Sequence, residues 1–191
     1  MLTACEVSEH LIDASLRQGD PLSHSKLQCL LYYAQSWHLA LFDRRLFPDQ
    51  IEAWESGPVV PLVLENFDRL SLNVDDDFAL LDEMQQGYLE CILEKYDSVS
   101  GQELQEQVQS EAPWLAARAT TPAADTFAIE MRDMKLFYRY PASDIFIRVV
   151  RGVLVLLVRL RIYKTATTAS AWAAKAWEAW KILCSYFGMI P

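Results

Sequence analysis

The side chains that could perform chemistry are few and dispersed. Four cysteines, Cys5, Cys29, Cys91 and Cys184, and three histidines, His10, His24 and His38, are scattered over 191 residues. A zinc site needs ligand pairs close in sequence to pre-organise a tetrahedron, and no CxxC or Cys/His cluster is present, so no metal or other cofactor is expected. Cys29 could be paired with His24 or His38 as a nucleophile and base. A thiolate also needs a basic or oxyanion-stabilising setting, and none accompanies Cys29, so buried free thiols in a reducing cytoplasm are expected instead. Glu52 and Glu55 flank Trp54, yet among 26 acidic residues such a pairing arises by chance. Walker, Rossmann, HExxH and GxSxG patterns are missing. The sequence therefore predicts a protein that binds rather than one that catalyses.

The elements that must position these residues read as mainly α. Val7, Leu11 and Ala14 have helical spacing, and Gly19-Asp20-Pro21 stops that helix. Ser23 is a good N-cap for the next, with Ser25 and Gln28 a competing capping box. Leu27, Leu30, Leu31, Ala34, Trp37 and Leu41 then define one broad face of a central helix of about four turns. Ile51–Glu55 alternates apolar and charged, as a short strand does, and Ser56-Gly57-Pro58 breaks it. Gly57 is placed for positive φ, and Pro58 or Pro61 for a first helical turn. Val63, Leu64, Phe67 and Leu70 mark a third helix. Leu81, Met84, Tyr88, Ile92 and Tyr96 mark one over about 78–96, with Asp75, Asp76 and Asp77 near its positive end. Ser100 and Glu103 form a capping box, Pro113 opens a short turn, residues 120–125 are a linker, and 127–140 has helical spacing.

Charge divides the chain. Residues 1–140 hold 10 basic and 24 acidic side chains, whereas 141–191 hold 7 and 2, so a net −9 conceals an acidic body and a basic tail. The expected architecture is a compact helical domain over 1–140 with at most a short β element, followed by two amphipathic helices in 141–191. In the tail, residues 145–163 suggest a membrane span at first sight. Four arginines against thirteen Ile, Phe, Val and Leu sum to roughly +2 to +10 kcal/mol at the bilayer centre, which argues against spanning. Arg148, Arg151 and Arg159 share a face within about 80° on a helical wheel, with Arg161 off it. Trp172, Trp177 and Trp180 lie in an Ala-rich second helix. Three readings fit a Trp/Arg tail: docking on the acidic body, an appendage that binds a partner, or attachment to a membrane surface. The N-terminus turns acidic at Glu6 without an apolar h-region, so a cytoplasmic protein is expected.

Three stretches resemble one known family. They are Lys26-Leu27-Gln28-Cys29-Leu30-Leu31-Tyr32-Tyr33-Ala34-Gln35-Ser36-Trp37-His38, then Glu52-Ala53-Trp54-Glu55-Ser56-Gly57-Pro58-Val59-Val60-Pro61, then Glu111-Ala112-Pro113-Trp114. In this order they resemble the Panacea domain of SocA-like antitoxins, found in bacteria and their prophages. Cys29 stands where that family often has a basic residue, and Gln109 where it often has a histidine. The resemblance implies a protein that neutralises a cognate toxin by direct contact, or that hands the toxin to a Clp-type protease. It makes Lys26, Leu27, Gln28, Leu30, Leu31, Tyr32, Tyr33, Ala34, Gln35, Trp37, Glu52, Trp54, Gly57, Pro58, Val59, Pro113 and Trp114 the motif residues. Core packing is the simple account of the helix stripe; a recognition groove between the helix and the Gly57-Pro58 turn is the functional one, with Gln28 and Gln35 reaching that turn. Arg148, Arg151, Arg159, Arg161, Trp172, Trp177 and Trp180 are the candidate partner contacts. The alternative is a phage or host regulatory protein whose basic tail binds nucleic acid or a membrane surface, which an acidic body would oppose at phosphate.

Overall fold

The computed structural model describes residues 2–72, 81–119 and 127–139. Asp75, Asp76 and Asp77, the linker 120–125 and both helices expected in 141–191 lie outside the described residues. Among the described residues nine elements follow in order: α1 Ala4–Gln18, α2 His24–Phe42, β1 Glu52–Trp54, β2 Gly57–Val59, α3 Pro61–Leu72, α4 Glu83–Tyr96, α5 Gly101–Ser110, α6 Ala112–Ala119 and α7 Met131–Arg139.

α2 is the axis on which the rest is assembled. It packs against α1, α4, α5, α7 and β2, while α1 carries α3 on another side. The expectation of one apolar face is corrected here: every residue from Lys26 to Ser36 is buried. The reason is readable in hindsight, because residues 27–42 contain no Asp, Glu, Lys or Arg. A helix apolar all round must be covered all round. Leu27, Leu30, Leu31 and Ala34 are fully buried, and each large aliphatic contributes about 1.5–3 kcal/mol by leaving water.

Local chemistry sets the helix ends. Thr3 and Glu6 form a capping box on α1, and Gly19 closes it at φ 81°. Ser23, rather than Ser25, caps α2 by accepting from the Lys26 N–H. Ser100 and Glu103 form the expected box on α5. Pro61 opens α3, whereas Pro58 lies in β2. A different box, Asp82 with Gln85, starts α4 at Glu83 instead of near 78. Met84 consequently sits in the first exposed turn, 71% exposed, and not on the buried stripe.

β1 and β2 form an antiparallel hairpin with Glu52 opposite Val59 and Trp54 opposite Gly57. Residues 127–129, expected to be helical, are extended instead. Ala53 N–H donates to Phe127 O at 2.7 Å and Ile129 N–H to Ile51 O at 2.8 Å, adding a third line of pairing to the edge of β1. α7 starts only after this, and packs on α2. Among the described residues, no helix is long and apolar enough to cross a membrane.

Candidate functional site

The motif residues of α2 prove to be fasteners for three loops. Gln28 is buried, and its Oε1 accepts from the Val60 N–H at 2.8 Å. This is two residues past the Gly57-Pro58 turn, where α2 and β2 meet in direct contact. Gln35 is fully buried and serves a different loop than expected. Its Oε1 accepts from Leu46 N–H at 2.8 Å and Phe47 N–H at 3.3 Å, and its Nε2 donates to Phe47 O at 2.9 Å. A single amide thus satisfies three buried backbone groups that no secondary structure pairs. Lys26 Nζ donates to Asp97 O at 2.8 Å, where α4 ends, and lies 3.7 Å from Asp20.

The hairpin is held from α5. Gln105 Nε2 donates to Ser56 O, and Gln109 Nε2 to Glu55 O at 2.9 Å. Gln109, which replaces the family's frequent histidine, therefore acts here as a brace. Gly57 has φ 115°, a conformation that favours glycine, and a Cβ there would come within 3.3 Å of Gln105 Cγ, so that side chain would have to shift by a few tenths of an ångström. Pro58 and Val59 are buried beside it. Trp54 is the exception in this motif, being 39% exposed. Its indole N–H donates to Glu52 Oε2 at 2.7 Å, which fixes the ring on the surface.

The third motif stretch builds a feature that spacing did not announce. Pro113 lacks an N–H, and in a continuous helix its ring would strike the carbonyl of Gln109, so α5 ends and α6 begins at Glu111. At this break the Glu111 carboxylate turns inward. It accepts from Tyr32 Oη at 2.7 Å and from Tyr138 Oη at 2.7 Å, tying α2 to α7. Tyr33 stacks on Tyr96 at 4.2 Å between centroids, and Trp37 Nε1 donates to Tyr96 Oη at 3.0 Å while its ring meets Tyr138 edge-on at 5.0 Å. Burial raises the pKa of Glu111, and the tyrosine hydroxyls oppose that rise. Burial also raises the tyrosines, so their hydroxyls stay protonated and donate. Trp114 is half-buried with Arg118 lying over its face at 5.7 Å. Glu111, Tyr96 and Tyr138 were missing from the sequence-derived set. The usable signal was Glu111 itself, an acid directly before Ala-Pro-Trp at a forced helix break.

The Cys–His proposals do not assemble into a nucleophile. Cys29 is fully buried, and desolvation pushes its thiol up to about 12, the reverse of activation. His38 Nδ1 bonds Arg44 O at 2.7 Å, and burial lowers the pKa of both His38 and His24. Among the described residues, no group of three or more His, Cys, Asp or Glu side chains is placed to hold a metal ion.

Two of the three fasteners on α2, Gln28 and Gln35, together with the braced hairpin and the Glu111 break, fall inside one continuous stretch, and Lys26 directly precedes it. Residues 27–115 match the family model described as Antitoxin SocA-like, Panacea domain. This stretch is similar to a Panacea domain. The match points to a function of the antitoxin type and to a toxin as partner. Neither the curated proteins nor the solved structures contain a match to this chain. The matched stretch begins in the first turn of α2 and ends in α6, so α1, the pairing segment 127–129 and α7 lie beyond it. Its motif residues are mostly interior: they set the positions of loops and helices, and only Trp54 reaches well into solvent. The candidate contacts Arg148, Arg151, Arg159, Arg161, Trp172, Trp177 and Trp180 lie outside the described residues.

Proposed function

We propose that this protein is an antitoxin that neutralises a cognate protein toxin by direct binding in the cytoplasm, with residues 141–191 selecting the partner. The observation that carries this reading is the Panacea-domain match over 27–115. The geometry supports a binding role: the motif polar groups are spent on internal backbone partners, as in a scaffold that presents a surface. The one thiol inside the motif is desolvated and protonated. The tail, rich in Arg and Trp, has the composition that dominates interface energetics.

The test is co-expression of the full chain with the product of the adjacent reading frame. Rescue of growth, together with a complex that survives gel filtration, is expected, and deletion of 141–191 should abolish both. Rescue that disappears in a host lacking its Clp-type proteases would replace occlusion by delivery to a protease. Absence of both rescue and complex would overturn the antitoxin reading, and a truncated chain that still binds would remove the tail from partner choice.

A further inference from the structure

α5 and α6 meet at Glu111 but turn opposite kinds of face to solvent. On α5 the exposed positions are Gln102, Glu103, Glu106, Gln107 and Ser110; on α6 they are Ala112, Leu115, Ala116 and Ala119. The latter are spaced i, i+3, i+4, i+7, one continuous stripe, with Leu115 49% exposed. A surface helix ordinarily turns polar groups outward, and α6 turns none. Its only charged side chain, Arg118, is drawn aside to Ala53 O at 3.4 Å and Glu55 at 3.7 Å, and lies over the Phe127 ring at 4.7 Å. Arg118 thereby ties α6 to β1, the strand that carries the exposed Trp54. On that side Arg118 brings Glu55, whose side chain is 92% exposed, next to α6.

We propose that this α6–β1 face is the docking surface for the chain's own C-terminal segment, residues 141–191, bound in cis. The place where the chain leaves the described fold selects this occupant. Tyr138 Oη bonds Glu111 just before α6, so the last turn of α7, where the described chain ends, lies on the side of the fold where α6 begins. Covalent tethering raises the segment's effective concentration at this face above that of a free peptide. Charge selects it as well: 7 basic and 2 acidic residues in the tail face a body with 10 and 24. The apolar content matches too, because Trp172, Trp177 and Trp180 supply large rings for a stripe whose alanines leave a shallow, accessible surface. None of this requires a toxin, so the inference stands apart from the antitoxin reading.

The experiment uses the full chain. Carbodiimide coupling is expected to join Glu52 or Glu55 to Lys175 or Lys181 within single molecules, as shown by mixing isotopically light and heavy protein before coupling. Leu115→Glu, at an exposed position, should leave helical circular dichroism unchanged, abolish those couplings, and make tryptic cleavage within 141–191 faster by about tenfold, since proteolysis follows the undocked population. Equal cleavage in the native and Leu115→Glu proteins, or no coupling between these groups, would overturn the proposal. Couplings that join light to heavy chains would overturn it in favour of a second copy.

Discussion

Glu111 carries a carboxylate into a ring of phenols, and two opposing effects act on it. Burial raises its pKa, and hydrogen bonds from the tyrosines lower it by less. The folded value is therefore above the unfolded one. Its contribution to stability is complete below the usual carboxylate value and is lost as pH rises through the folded pKa. Glu111→Gln keeps an acceptor oxygen without the charge. It is expected to be at least as stable as the native protein near pH 7, with a flatter stability profile just above the ordinary carboxylate range. Glu111→Ala leaves the Tyr32 and Tyr138 hydroxyls without their acceptor and should cost about 1–3 kcal/mol. Urea unfolding at about pH 5 and pH 7 checks both; a Gln variant well below native near pH 7 would show that the charge, not the oxygen, holds the tyrosines. Gln35→Leu strands three backbone groups of Leu46 and Phe47, so a loss of about 2–4 kcal/mol is expected, against about 1–3 for Gln28→Leu, which strands one. Equal losses in the same unfolding assay would contradict that ranking.

At the scale of elements, the hairpin shows what local sequence can specify. Ser56-Gly57-Pro58 announces a break, and Gly57 at φ 115° with Gln105 behind it explains why. Gly57→Ala should cost about 1–3 kcal/mol through backbone strain, measurable as a lower midpoint in thermal unfolding, and Gln105→Ala should relieve only the steric part. The capping box of α5 was equally readable, because it needs only residues three apart, whereas the Thr3–Glu6 box of α1 emerged only with the structure. Two elements were not readable. Residues 127–129 carry helical spacing but become extended, since their partners Ile51 and Ala53 are more than 70 residues earlier in the chain. α4 begins at Glu83 because Asp82 and Gln85 satisfy each other, a local signal overlooked in favour of the longer stripe that included Met84. Gln35 was recognised as a polar exception on α2, but its loop could be found only by folding the chain.

Among the described residues, the buried cluster is assembled from α1 through α7 together with Leu46, Phe47 and Ile51 of the loop between α2 and β1. We therefore expect a chain truncated after residue 140 to unfold cooperatively in urea with nearly the native m-value. Its loss in stability should not exceed about 2–3 kcal/mol, the order expected from uncovering Leu115 and its alanine neighbours. A non-cooperative transition would place part of the core in 141–191. The sequence by itself determined the mainly helical class, the division of charge between body and tail, and the Panacea motifs, because composition, periodicity and short-range spacing are carried by neighbouring residues. Only the tertiary structure decided which loops Gln28 and Gln35 fasten, that Glu111 gathers tyrosines from α2 and α7, and that α6 turns an apolar stripe outward. Each of these depends on groups far apart in the chain meeting at hydrogen-bond or van der Waals distance, which no pattern along the sequence encodes.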